Sequence, residues 1–213
     1  YHLTSSGQSL ITQLRDRSGR FLSVDNPPLP TDSVNQLAVQ LDKLITLSLT
    51  YTDKPGIWCL AHSRNRAPAA DAAPLLRINQ YLSDFNAFRD DAHMAAWQSY
   101  NVEGYVWEAF SVICAKQASN ADDVFEALSF RGYSRTEYAE GFTLLQDLGW
   151  LTSQSGHYQP SEEGQRIRAT VEQLTDDYFY APWLTLPDDE LEHTKRLLQQ
   201  FHDQLQALAM SDP

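Results

Sequence analysis

The sequence predicts a mostly α fold: a helical N-terminal region, then a run of helices broken by one small β-hairpin, then a long C-terminal helix. Three observations predict it. Apolar residues recur at three- and four-residue spacing through most of the chain, as a single buried helix face requires. Ser134-x-x-Glu137 opens one such run as a capping box, and Gly149 closes it as a residue that tolerates positive φ. Directly after it, Trp150-Leu151-Thr152 and His157-Tyr158-Gln159 flank the polar turn Ser153-Gln154-Ser155-Gly156, the pattern of a hairpin. Helix, hairpin and further helix, in that order, is the order of a winged helix-turn-helix.

Taken in chain order, residues 3–22 predict a helix with Leu10, Ile11, Leu14 and Phe21 apolar and Arg15, Arg17 and Arg20 exposed. Asn26-Pro27-Pro28-Leu29-Pro30 interrupts regular structure, since proline lacks an N–H and fixes φ. Thr31 or Asp32 is expected to cap a second helix, with Val34, Leu37, Ala38, Leu41, Leu44 and Ile45 on its buried face. Asp53-Lys54-Pro55-Gly56 is a turn, and Ile57 to Ala61 reads as a short strand or buried extended piece. From Leu75 a long helix carries Leu75, Ile78, Leu82, Phe85 and Phe88 as its stripe.

Residues 102–117 predict the first helix of the winged unit, with Val106, Ala109, Phe110, Ile113 and Cys114 inward. Ser119-Asn120 caps a short helix whose Asp122 and Asp123 suit the positive end of its dipole. The 134–148 helix follows, with Tyr138, Phe142, Leu145 and Leu148 inward, and then the 150–159 wing. Ser161 opens a helix through Ile167, Val171 and Leu174, and Tyr178 to Trp183 is an aromatic cluster stopped by Pro182. Asp188 or Asp189 caps the last helix, where Leu191, Leu198, Phe201, Leu205 and Leu208 form a near-heptad seam suited to a second copy. The expected segments are a helical region 1–73, a connecting helix 74–101, the winged unit 102–184 and a C-terminal helix 185–213.

At 213 residues the chain is long enough for one or two cores, and no apolar run approaches the ~18 residues that span a bilayer. The first residues have neither a secretory build nor an initiator Met, so the chain reads as an excerpt or a processed form. Cys59 and Cys114 each sit among apolar residues and read as buried thiols in a reducing, cytoplasmic setting. The net charge of −12 is unevenly placed: residues 1–98 hold nine basic and nine acidic side chains, residues 99–213 seven and nineteen. A phosphate backbone is repelled by the half that carries the winged unit.

Two groups of residues carry candidate chemistry. Arg64 and Arg66, in the basic patch His62-Ser63-Arg64-Asn65-Arg66, suit an anion with their planar forks; a solvated loop is the plainer alternative. Arg89, Asp90, Asp91 and His93 crowd one helical stretch, as a polar network, an acid/base pair, part of a metal site, or, through Arg89, Asp91 and His93, a binding site for a small anionic ligand. No nucleophile motif, phosphate loop or metal-ligand spacing is present, so no catalytic residue, metal or cofactor is expected. For nucleic acid the available donors are Arg131, Ser134, Arg135, Arg166 and Arg168.

FRDDAHMAAW (88–97), VEGYVWEAF (102–110), RGYSRTEY (131–138), LGWL (148–151), SEEGQRIR (161–168) and LTDDYFYAPW (174–183) resemble MarR-like winged helix-turn-helix proteins, in particular a bacterial, SalK-like branch. The resemblance covers about Arg89 to Trp183. It implies a homodimer joined by terminal helices, the 134–148 helix in a major groove and the wing on the DNA backbone. This sequence departs from that pattern in charge: the 134–148 helix sets Arg135 against Glu137, Glu140 and Asp147, and residues 152–159 hold no Lys or Arg. Three readings follow: a DNA-binding transcriptional regulator; a non-enzymatic small-molecule or protein-binding module on a winged-helix scaffold that has lost DNA binding; and, last for want of a nucleophile motif or metal set, an enzyme using Arg89, Asp90, Asp91 and His93.

Overall fold

The computed structural model describes residues 4–22, 28–51 and 56–211. Among them the helices are α1 (Ser5–Leu22), α2 (Thr31–Thr50), α3 (Trp58–Arg64), α4 (Pro74–Gln98), α5 (Gly104–Cys114), α6 (Ala121–Ala127), α7 (Arg135–Asp147), α8 (Glu162–Tyr180) and α9 (Asp188–Ser211). Strands β1 (Leu151–Gln154) and β2 (His157–Pro160) lie between α7 and α8. Asn26-Pro27 of the proline run and Asp53-Lys54-Pro55 of the expected turn lie outside the described residues, as do the side chains of Arg15 and Phe21. The chain forms two compact units, residues 1–91 with 179–213 and residues 92–178.

In the first unit α2 buries all six apolar residues predicted for it and packs against α9. Neither helix takes the expected cap: Pro30 holds the N-cap position of α2 with no side-chain bond, and α9 already includes Asp188 and Asp189 as helical residues. The α1 residues Leu10, Ile11 and Leu14 are exposed, so these three expected positions form no core. On α9, Leu197 and Phe201 are buried while Leu205 and Leu208 stand exposed. In α4, Ile78, Phe85 and Phe88 point inward as predicted; Leu82 is exposed and Tyr81 takes the buried place.

The segment from Ile57 corrects the extended reading, because α3 is a helix. Its first amides have no local cap. The buried carboxylate of Asp91 supplies one, accepting the N–H of Cys59 at 2.8 Å and of Leu60 at 2.9 Å. A cap held 31 and 32 residues away is invisible to local pattern, which is why the stretch looked extended. Asp84, also fully buried, accepts from Ser63 Oγ (2.7 Å), Gln80 Nε2 (2.8 Å) and Arg64 Nη1 (2.7 Å), and so clamps α3 to α4. The aromatic run packs: Trp183 meets Phe85 edge-on at 5.2 Å and Phe179 at 4.8 Å, and donates from Nε1 to Ser48 Oγ at 3.3 Å.

The second unit is built on α5, whose Val106, Trp107, Ala109, Phe110 and Ile113 are buried against Tyr138, Phe142 and Leu145 of α7 and Ile167 and Val171 of α8. The expected α5 stripe left out Trp107, which is core, and the expected α7 stripe put Leu148 inward, where it faces solvent. Cys114 is free, and burial pushes its thiol up to about 11, which leaves it inert. β1 and β2 pair antiparallel from Leu151↔Pro160 to Gln154↔His157. Ser155 and Gly156 turn the hairpin with φ +52° and +82°, the two left-handed residues of a type I′ turn. Tyr158 stacks on Phe142 with centroids 4.5 Å apart, and its N–H donates to the Ser119 carbonyl at 2.6 Å, tying the hairpin to the start of α6.

Candidate functional site

The α6–α7 pair is positioned by two local caps. Asn120 Oδ1 accepts from the Asp123 amide at 2.9 Å, and Asp123 in turn accepts from the Ser119 amide and hydroxyl at 3.1 Å. A 3-10 turn, Ser129–Arg131, then leads to Gly132, whose φ of +82° reverses the chain in a conformation that a Cβ would strain. The predicted capping box is present: Ser134 Oγ accepts from the Glu137 amide, and the Glu137 carboxylate accepts from the Ser134 amide and hydroxyl at 2.7 Å. Gly149, with φ +76°, ends the helix as expected.

Those bonds hold the Glu137 carboxyl below its usual value near 4.5, the Ser134 amide contributing most. A carboxylate favoured by folding contributes stability above its unfolded pKa and loses it as pH falls through the folded one. The α7 cap therefore weakens on the acid side, below about pH 4.5. Glu137→Gln is expected to be less stable at neutral pH and to lose part of the further decline in acid. Helicity followed by circular dichroism during an acid titration checks this; parallel acid limbs for the two proteins would contradict it.

Outward from α7 stand Arg135, Thr136, Ala139, Glu140, Thr143 and Asp147, a row that takes no part in the core. Each arginine proposed as a phosphate donor already faces a carboxylate. Arg131 meets Glu108 at 2.6 Å, Arg166 meets Glu163 at 2.5 Å, Arg168 meets Glu172 at 2.6 Å, and Arg135 pairs with Asp122. Their exposure separates them: the Arg131, Arg135 and Arg166 side chains are 50, 53 and 68 % exposed, Arg168 only 30 %. Arg168 also lies over the Trp107 ring at 5.9 Å, and its Nη1 is buried with no hydrogen-bond partner among the described residues. The hairpin surface from Thr152 to Gln159 offers hydroxyls, amides and His157, whose Nδ1 is 3.0 Å from Ser119 Oγ.

The residues singled out for a small anion are placed as follows. Arg64 is held by Asp84, and Asp91 is occupied by the amides of α3. Arg66 is exposed, and with Arg20, Asn79, Gln80 and Ser83 it lines an open cleft of about 680 Å³ that also holds Asp16. Arg89 lies 5.9 Å from the Phe179 ring centre. His93 is half-buried in the second unit. Thr175 gives its hydroxyl proton to the Val171 carbonyl (2.7 Å), so it accepts from His93 Nδ1 (3.1 Å); His93 Nε2 accepts the Trp107 indole N–H (3.1 Å). Those partners fix a neutral imidazole with its proton on Nδ1. Among the described residues no group of three His, Cys, Asp or Glu side chains is placed to hold a metal ion.

Sequence reading did not find Glu108 and Asp122 as the arginines' partners, nor Phe130, which projects from the 3-10 turn 72 % exposed. The signal for Phe130 was its place two residues before Gly132, where an apolar residue in a turn has no core to enter. Among the described residues no helix is long and apolar enough to cross a membrane. A family model described as a helix-turn-helix family matches residues 30–210, most of the chain. No curated protein and no solved structure matches it.

Proposed function

The chain belongs to this helix-turn-helix family, and from that premise we propose a non-enzymatic regulator that meets duplex DNA with the outward row of α7 and uses the β1–β2 hairpin as a wing. Family membership suggests a DNA-binding, regulator-like role, and the observation that carries the reading is the α7 row itself, rigidly capped yet outside the core. Charge sets the strength. Exposed ion pairs are worth about 0–1 kcal/mol, so Arg131, Arg135 and Arg166 can exchange carboxylates for phosphates at small cost. Arg168 is held too firmly to join them. A second copy joins through α9, where Leu205 and Leu208 extend the seam of Leu191, Leu198 and Phe201 beyond its buried part. A small anionic effector is taken at the cleft beside Arg66.

Three phosphate contacts per chain, six in the dimer, predict that log affinity for random-sequence duplex falls against log salt with a slope of about −5. Binding is expected at low ionic strength and lost at moderate salt, and Arg135→Ala or Arg166→Ala, each removing one contact per chain, is expected to flatten the slope by about two. Fluorescence anisotropy over a salt series measures it, and sedimentation of the same samples is expected to return two chains per particle. Absence of binding even at low salt would leave the second reading, a binding module on a scaffold that has lost DNA. That reading is favoured by one observation: residues 92–178 carry thirteen acidic and five basic side chains, a net charge of −8.

A further inference from the structure

We propose that the corner made by the start of α5, the Ser129–Arg131 turn and the first turns of α7 is a docking surface for a basic protein segment with an apolar anchor, arginines or lysines alternating with leucine-sized groups. Phe130 supplies the apolar contact. It is the most exposed aromatic side chain described in the second unit, and its ring is braced by the Arg131 guanidinium 4.8 Å from its centre. That guanidinium is fixed in turn by two bonds to Glu108, at 2.6 and 3.0 Å. A phenyl ring held out into water on a rigid support is an anchor of the kind that dominates protein interfaces.

The chemistry around the anchor selects a cation. Tyr133 stacks on Tyr105 with centroids 4.5 Å apart, and Tyr138 meets both rings edge-on at 6.2 and 6.1 Å. Glu103 stands two residues before Tyr105, and Glu137 and Glu140 stand on the helix that carries Tyr138; burial first, and then the charges of Glu137, Glu140 and Glu103, raise the Tyr105 hydroxyl. The side chains of Glu103 and Glu140 make no hydrogen bond or ion pair among the described residues. Tyr138 is fully buried, yet its hydroxyl has no partner among the described residues; Glu108, Tyr133 and Arg131 are the groups around it. Aromatic faces beside uncommitted carboxylates favour a guanidinium or ammonium group, through the ring quadrupole and through charge. The net charge of −8 on residues 92–178 attracts such a segment and repels a polyanion. The surface does not depend on the DNA reading. Because it includes the first turns of α7, its occupant and a duplex would exclude one another.

The probe is a short fluorescein-labelled peptide alternating arginine with leucine, titrated with the full chain and read by anisotropy. Binding is expected, with at least about a tenfold loss in Phe130→Ala, the loss of a central aromatic anchor. The double variant Glu103→Gln/Glu140→Gln is expected to bind severalfold more weakly and to lose part of the salt dependence. These three side chains are exposed, so unchanged thermal melts would show intact folds. Arg166→Ala, which lowers DNA affinity on the regulator reading, should leave peptide binding as it is. Equal binding by wild type and Phe130→Ala would overturn the proposal. So would equal binding of polyarginine of the same charge, or of an uncharged leucine–serine peptide, since either shows generic adhesion. None of these outcomes bears on the duplex titration.

Discussion

Gly164→Ala is expected to destabilise the second unit by about 3 kcal/mol or more, at or above the usual range for overpacking. A Cβ at this position would stand 2.1 Å from the backbone carbonyl oxygen of Trp150 and 3.4 Å from the Phe110 ring. The nearer obstacle is main chain, which no rotamer change can move. That carbonyl also accepts the Ser161 amide at 2.9 Å, while Ser161 Oγ donates to the Gly149 carbonyl at 2.6 Å and accepts the Gly164 amide at 3.0 Å. The first turn of α8 is thus seated on the strand entrance through a glycine. An added methyl must lift it, break that seat and shift Trp150 from Phe110, whose ring centres are 5.4 Å apart. Thermal unfolding should show a midpoint about 6–12 °C lower for a chain of this length. Gly141→Ala is the control: its Cβ would lie 3.3 Å from Val106 Cγ2, a side-chain contact relieved by a shift of a few tenths of an ångström, and the gain in helix propensity of up to ~1 kcal/mol offsets the crowding. A Gly164→Ala protein melting within a degree or two of wild type would mean that the α8 seat is not a constraint.

Asp84→Ala is expected to cost about 3–5 kcal/mol in the first unit, the range for removing one partner of a buried ion pair. The carboxylate is wholly inaccessible and accepts from Ser63, Arg64 and Gln80 together. Without it a guanidinium that is 28 % exposed loses its counter-charge, and the Ser63 hydroxyl, also buried, loses its acceptor. Asp84→Asn keeps the volume and one oxygen but turns a donor toward donors, so it is expected to fall between wild type and alanine. Denaturant unfolding of the three proteins orders them. Asp84→Ala with an unchanged midpoint would show that the clamp between α3 and α4 carries no stability.

What could be read from the sequence was local. The Ser134–Glu137 box, the Asn120 cap, Gly149 and the Ser155-Gly156 turn each act within a few residues of themselves, and each stands where the pattern put it. The readings that failed depended on partners far along the chain. The cap of α3 is Asp91, and the depth of Trp107 is set by rings such as Trp97 of α4 and Trp150 at the entrance to the hairpin, which spacing alone cannot assemble. Leu82 and Leu148 were assigned to buried stripes by three- and four-residue spacing, but a helix face covers more positions than its neighbours cover. At the candidate site the arginines were legible as residue types. Their pairing with Glu108, Asp122, Glu163 and Glu172 was not, because charge counting gives an excess and no geometry.

The remote cap of α3 also bears on the order in which the chain acquires its structure. Seven residues are too few to hold a helix in water, since nucleation alone costs more than so few bonds return. The Asp91 carboxylate reaches the amides of Cys59 and Leu60 only once the intervening loop has closed and the α4 turns that carry it are wound. α3 is therefore expected to form late, docking onto α4 after the rate-limiting barrier. Substitutions that weaken its attachment should speed unfolding and leave the refolding rate nearly unchanged, placing this short helix among the features that set the protein's lifetime once folded.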